Sequence, residues 1–194
     1  MSAGEQSSSE VKKTAMNLAV GFAVAFAIAV VIGAFFREPL QEAGAWCVST
    51  FGLPGLAGAV LLIDSIPTPL SYVPFMLLAL EGGMDFTAVL LISAGASYSA
   101  GLLGYTAGRL VGMPQRLAGW MEKKYPQARE LIDRYGAWGI ALVGILPVPL
   151  ALGTLTGGAL GVRAPYAAAA LLVRLPKTFL YLLMIEGGLQ LSAG

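Results

Sequence analysis

Long apolar stretches alternate with short polar ones along this chain, and the apolar stretches set its plan. The first, Thr14 to Phe36, carries no charge and follows Lys12 and Lys13. A transmembrane helix needs about 20 such residues, so the pattern predicts a spanning helix over 14–36. Residues 1–13 are polar and serine-rich, and a disordered tail is expected there. A secretory signal is the rival reading, because "AGA" at 43–45 has the small-residue pattern of a cleavage site. Against it, the run is long for a signal core, and Arg37, Glu38 and Glu42 intervene.

From Cys47 to Leu80 the chain is apolar but punctuated by Pro54, Pro67, Pro69 and Pro74, with Asp64 in its middle. Proline has no N–H and its ring clashes with the preceding turn, so a single straight helix is not expected. The stretch 86–113 is clean enough to span. A polar segment, 114–136, separates it from "AWGIALVGILPVPLALGTLTGGALGV", which Pro147 and Pro149 break. The last apolar run, 164–190, contains Arg174, Pro176 and Lys177. Two of the breaks echo each other: "IPTPL" at 66–70 and "LPVPL" at 146–150.

Charge orients these segments, since Lys and Arg favour the cytoplasmic side. Residues 109–134 carry Arg109, Arg116, Lys123, Lys124, Arg129 and Arg134 against Glu122, Glu130 and Asp133. Residues 37–85 carry one cation, Arg37, against Glu38, Glu42, Asp64, Glu81 and Asp85. The N-terminus is therefore expected inside, 37–85 begins and ends outside, and 109–136 lies inside. The region 46–82 then has to turn around within the membrane as a re-entrant hairpin. By the same logic 137–162 is a second hairpin, entering and leaving from inside, with Arg163 at its exit and a final spanning helix over 164–190 leading out. The expected fold is an all-α integral membrane protein: an N-terminal transmembrane helix, then an inverted repeat of proline hairpin plus transmembrane helix. Irregular backbone survives at membrane depth only where protein or water covers it, and opposed broken helices are a transporter device. The alternative is that both proline segments are kinked full crossings, giving six spans.

Ala96, Ala100, Gly104, Gly108 and Gly112 recur every four residues and predict a smooth helix face for close packing. In 114–136, Leu117, Trp120, Met121, Ala128, Leu131, Ile132 and Tyr135 recur at helical spacing, with Pro126 expected to divide the segment. Such a segment can lie on an anionic leaflet or serve as a solvated connector.

Composition narrows the function. The 194 residues are 57% hydrophobic and 12% charged, about half the charged share of a soluble domain. There is no histidine and one cysteine, Cys47, so a disulfide framework, a Cys/His metal site and a histidine-based triad are excluded. A net charge of +1 argues against a nucleic-acid partner. No cofactor or metal is expected, and no nucleophile–base pair points to an enzyme.

"GLLGYTAGRLVG" at 101–112, "RYG" at 134–136 and "ILPVPLALGTLTGGALGV" at 145–162 together resemble the DedA superfamily, also called the VTT or SNARE-associated Golgi protein family. The likeness covers roughly 60–180 and is closest to the short YqaA-like branch. It implies two facing re-entrant hairpins and movement of lipids between leaflets: recycling of undecaprenyl phosphate with dependence on proton motive force in bacteria, scrambling in eukaryotic relatives. An acidic residue before the first prolines is matched by Asp64, whereas Ser71 lies near the place of a second carboxylate. The arginines typical of the second hairpin are absent, their positions being Gly144 and Leu150.

Arg174 and Lys177 are the remaining candidates for a binding site. They lie three apart, on one helix face, deep in an apolar run. Intramembrane charges are costly, so both need partners or water, and Asp64 is the expected partner. An ion pair of purely structural role and snorkelling to an interface are the plainer readings. Glu81 and Glu186 each precede "GG" and are expected at the outer edge. The expected site therefore comprises Asp64, Arg174 and Lys177 with the breaks at Pro67, Pro69, Pro147 and Pro149. The functional expectation is a flippase- or scramblase-like lipid transporter of the inner or plasma membrane, acting on a polyprenyl-phosphate or phospholipid headgroup, with membrane lipids and protons as partners. The alternatives are a proton-coupled small-solute transporter and a non-transporting membrane scaffold.

Overall fold

A computed structural model describes residues 38, 41–67, 71–146 and 149–193; the helix expected over 14–36, the tail before it, Pro69 and Pro147 lie outside the described residues. The described residues are helices and their connections, with no strand among them. Glu38–Leu182 form one compact unit, and from Leu183 onward the last helix belongs to a second.

Helix α1, Gln41–Ser65, is long and apolar enough to cross a membrane. It passes through Pro54, and Gly52 absorbs the irregularity with φ +54°, a conformation that only glycine adopts at little cost. The helix stops ahead of Pro67, because the residue before a proline is pushed out of the helical region. Helix α2, Val73–Glu81, carries Pro74 in its first turn, where a missing N–H costs nothing. Helix α3, Phe86–Val111, opens on Asp85, whose carboxylate accepts from the Ala88 N–H at 3.0 Å. The amphipathic segment forms α4, Gln115–Lys124, and α5, Pro126–Tyr135, divided ahead of Pro126 as the sequence predicts. Helix α6, Ala137–Ile145, ends at Leu146, which is extended before Pro147; α7, Leu150–Ala159, restarts after Pro149.

The final apolar stretch departs from expectation. Instead of one helix over 164–190 it forms α8, Ala164–Leu171, and α9, Arg174–Ala193. Pro176 is the cause: it cannot donate to the Leu172 carbonyl four residues back, and its ring crowds that carbonyl. Across the break the stretch Ala164–Gly188 keeps the length and hydropathy of a span.

Contacts fix how the elements of the unit run. A Cβ on Gly153 would touch Val143, and one on Gly157 would touch Ile140, so α7 folds back antiparallel over α6. Gly44, near the start of α1, is packed on Leu78 and Gly82, so α1–α2 also returns to its starting end. Helices α3 and α7 run parallel, Gly104 facing Thr154 and Ala151, Gly108 facing the Leu155 backbone, and Gly158 facing Tyr105 and the Arg109 nitrogen. This is the close approach the small-residue spacing predicts for Gly104 and Gly108. Gly112 does not share it: no atom lies near its would-be Cβ, and with φ +78° it closes the helix.

Helix α3 is inverted relative to a soluble helix. Ser93, Ser97, Ala96, Ala100 and Gly108 are buried, while Leu91, Leu103 and Leu110 are exposed. Large apolar side chains outside and small or polar ones inside suit a lipid solvent. The apolar face of α4–α5 is instead turned into the protein. Met121 is fully buried and its sulfur accepts from Thr156 Oγ1 at 3.3 Å; Ala128 and Ile132 pack with Tyr105, Ile140 and Val143.

Candidate functional site

Charge in an apolar setting has to be paired, and the pairing here draws on four segments. Asp64 lies in the last turn of α1, just ahead of the first break. Its Oδ2 accepts from Arg174 Nη2 at 2.5 Å and from Ser97 Oγ at 2.5 Å. Arg174 opens α9, so its guanidinium leaves the chain at the Leu172–Val173 interruption. Arg174 Nε donates to Ser97 Oγ at 2.8 Å, and Nη1 reaches the Gly144 carbonyl at 3.4 Å. Ser97 thus binds both partners of the ion pair from the middle of α3. Asp64 is 7% exposed and Arg174 4%, which makes this a buried pair.

Lys177, one turn along α9 and 9% exposed, points at the same spot. Its Nζ donates to the Gly144 carbonyl at 2.8 Å and to the Leu146 carbonyl at 3.4 Å. These oxygens belong to the C-terminal end of α6, where the last four carbonyls lack helical partners and the helix dipole is negative. The two cations therefore cap α6 at the second break.

Tyrosines line the other side. Tyr72, just ahead of α2, is buried and shares a 3.0 Å hydrogen bond with Thr178 Oγ1. The Arg174 guanidinium lies 5.8 Å from the Tyr72 ring centroid, Lys177 Nζ lies 5.9 Å from that of Tyr181, and the two rings meet edge to face. Ser93 Oγ, one turn from Ser97, is buried without a hydrogen-bond partner.

The sequence-predicted trio is thus brought together, though not as an equal triangle. Asp64 pairs with Arg174, and Lys177 is held by backbone carbonyls. Pro67 lies two residues past the end of α1, and Pro149 is buried at the start of α7, each at the edge of its break. Glu81 ends α2 at the opposite end of the hairpin from Asp64. Sequence reasoning missed Tyr72, Ser97 and Thr178, because hydroxyl groups are common in apolar helices. Spacing held a clue: Ser93 and Ser97 lie one turn apart on α3, as do Arg174 and Thr178 on α9. No group of His, Cys, Asp or Glu able to hold a metal ion occurs among the described residues.

Three helical stretches are long and apolar enough to cross a membrane: Gln41–Ser65, Phe86–Val111 and Ala164–Gly188. No protein-family model, curated protein or solved structure matches the chain.

Proposed function

We propose that this chain is an integral membrane transporter of lipid headgroups, flippase- or scramblase-like, with its site at the Asp64–Arg174–Lys177 cluster. The observation that carries the reading is the meeting of two helix breaks at one buried charged cluster. Asp64 ends α1 at the first break; Gly144 and Leu146 end α6 at the second; cations from the interruption of α9 bind both. A merely structural ion pair would not require three interrupted helices at one level.

In this reading both broken segments are re-entrant hairpins that enter from opposite faces. The lengths of α2, α6 and α7 support it, whereas α1, at 25 residues, is itself long enough to cross. At 1.5 Å per residue, α3 is about 39 Å long, enough for a hydrocarbon core of about 30 Å, whereas α2, α6 and α7 each cover about 13–15 Å. Ser97 lies about 17 Å along α3 from Phe86, near mid-depth, and Pro54 to Asp64 covers about 15 Å. The ends of the α1–α2 hairpin, Gly44 and Gly82, lie toward the Phe86 end of α3, whereas the parallel course of α7 puts the ends of α6–α7 toward Val111. Exposed aromatics fit two interfaces, Trp46 at the first and Tyr135, Trp138 and Tyr166 at the second. The cations on α4 and α5 make the second interface cytoplasmic.

The family likeness to DedA proteins belongs to the same proposal. Gly144 stands where those proteins typically carry an arginine, and here its carbonyl is met by a guanidinium and an ammonium from α9. The site chemistry would be kept while its cations come from another helix. The test is leaflet exchange of a fluorescent phospholipid in proteoliposomes, with and without a pH gradient. Exchange above that of protein-free vesicles is expected, and Arg174→Ala should abolish it. No exchange under either condition refutes lipid transport.

A further inference from the structure

The transport reading leaves open which side chain meets the ligand, and the hydrogen bonds distribute that role unevenly. Arg174 is engaged through each of its three nitrogens: Nη2 on Asp64, Nε on Ser97, Nη1 on Gly144. Its charge is balanced by Asp64 at contact distance. Lys177 differs in each respect. Its ammonium donates to backbone carbonyls and lies 5.9 Å from the Tyr181 ring centroid, and no carboxylate of the described residues lies within ion-pair distance of it. Carbonyl dipoles soften a positive charge without cancelling it. With Lys177 protonated, the trio as a whole carries one positive charge, out of water, beside the second helix break. Such a charge is costly unless an anion accompanies it.

We propose that Lys177, not Arg174, is the ligand-binding cation of this site, and that it takes a group carrying a single net negative charge, a phosphate oxygen of a lipid headgroup or of a free anion. The inference rests on the transport reading for its setting alone. One charge is the amount the trio leaves unbalanced, so a monoanion neutralises it and a net-neutral headgroup does not. The Asp64–Arg174 pair then serves to hold the two helix breaks around Lys177. Ammonium suits this task, being a compact charge on a flexible stem that can turn from the carbonyls to an incoming oxygen.

The test uses the purified full chain in neutral detergent. Short-chain phosphatidylglycerol, phosphatidylcholine and inorganic phosphate are each titrated against wild type, Lys177→Gln and Lys177→Arg, with thermal stabilisation read as an apparent Kd. Phosphatidylglycerol is expected to stabilise wild type. Its Kd should weaken about tenfold or more in Lys177→Gln, the loss of one charged hydrogen bond, while Lys177→Arg stays close to wild type. Phosphatidylcholine should not distinguish the three proteins. Inorganic phosphate acting as phosphatidylglycerol does would make the ligand a free anion; no effect of it would assign the site to a headgroup. Lys177→Met carries the same readout if the glutamine variant does not fold. Equal phosphatidylglycerol binding with and without the Lys177 charge overturns the proposal, as does the absence of stabilisation of wild type by both anions. Leaflet exchange is measured on the same samples. Lys177-dependent binding without any exchange would refute transport and leave this inference standing.

Discussion

Two alanine substitutions in one helix, Gly108→Ala and Gly95→Ala, should move stability in opposite directions. Both glycines lie inside α3, so both substitutions gain the same helical propensity, up to about 1 kcal/mol per residue in water. Their surroundings differ. A Cβ on Gly95 meets nothing within 4 Å. A Cβ on Gly108 would fall on the Leu155 carbonyl oxygen, with the Leu155 carbonyl carbon at 2.8 Å and Cα at 2.9 Å. All three are backbone atoms of α7, so no rotamer change relieves the clash and the two helices must separate. Overpacking of this kind costs about 1–3 kcal/mol, and here the backbone contact argues for the upper end. For a chain of this size each kcal/mol shifts Tm by roughly 2–4 °C. Net of the propensity gain about 2 kcal/mol remains, so Gly108→Ala should melt about 4–8 °C below wild type, and Gly95→Ala at or slightly above it. The assay is thermal unfolding in detergent, followed by the loss of the monodisperse peak in size exclusion. Equal melting of the two variants would mean that α3 and α7 are not in backbone contact at Gly108.

Other substitutions probe the charged cluster and the topology. Asp64→Asn leaves the Arg174 guanidinium buried without its counter-charge and should cost about 3–5 kcal/mol, whereas an Asp64→Leu, Arg174→Met double variant should recover most of that; a double variant less stable than the single one contradicts the pairing. Tyr72→Phe removes the hydrogen bond to Thr178 and should lower stability by about 0.5–1.5 kcal/mol in thermal unfolding, against no change if the two hydroxyls do not meet. In a Cys47→Ala background, Gly83→Cys should be labelled by an impermeant thiol reagent only from outside and Leu160→Cys only from inside. Labelling of both from one face would rule out opposed hairpins.

What the sequence disclosed depended on how costly each feature is. Asp64, Arg174 and Lys177 were legible because a charge in an apolar run demands an explanation. Their unequal roles were not, since which cation takes the carboxylate depends on where the interruption of α9 aims each side chain. The breaks themselves followed from proline. Pro176 interrupts the last apolar run without removing its spanning length, and hydropathy, which ignores hydrogen bonding, shows only the length. Four-residue spacing identified Gly104 and Gly108 but could not tell an interior glycine from a terminating one, as Gly112 is. The periodicity of 115–135 was correct as periodicity. It carried no information on whether Met121 and Ile132 face lipid or, as found, the protein interior.

The cations of α9 reach two breaks from a single turn of helix. Arg174 grips the end of α1 through Asp64 and, with Lys177, the end of α6 through the Gly144 carbonyl. Mechanically this is one clasp on two flaps. Neither flap can swing outward by more than a hydrogen bond's slack without pulling on the clasp and so on the other. Rotation of that one turn of α9, by contrast, would release both together. The interruption at Leu172–Val173 lies immediately before the clasp. Loss of that one turn's contacts would therefore loosen the ends of α1 and α6 together.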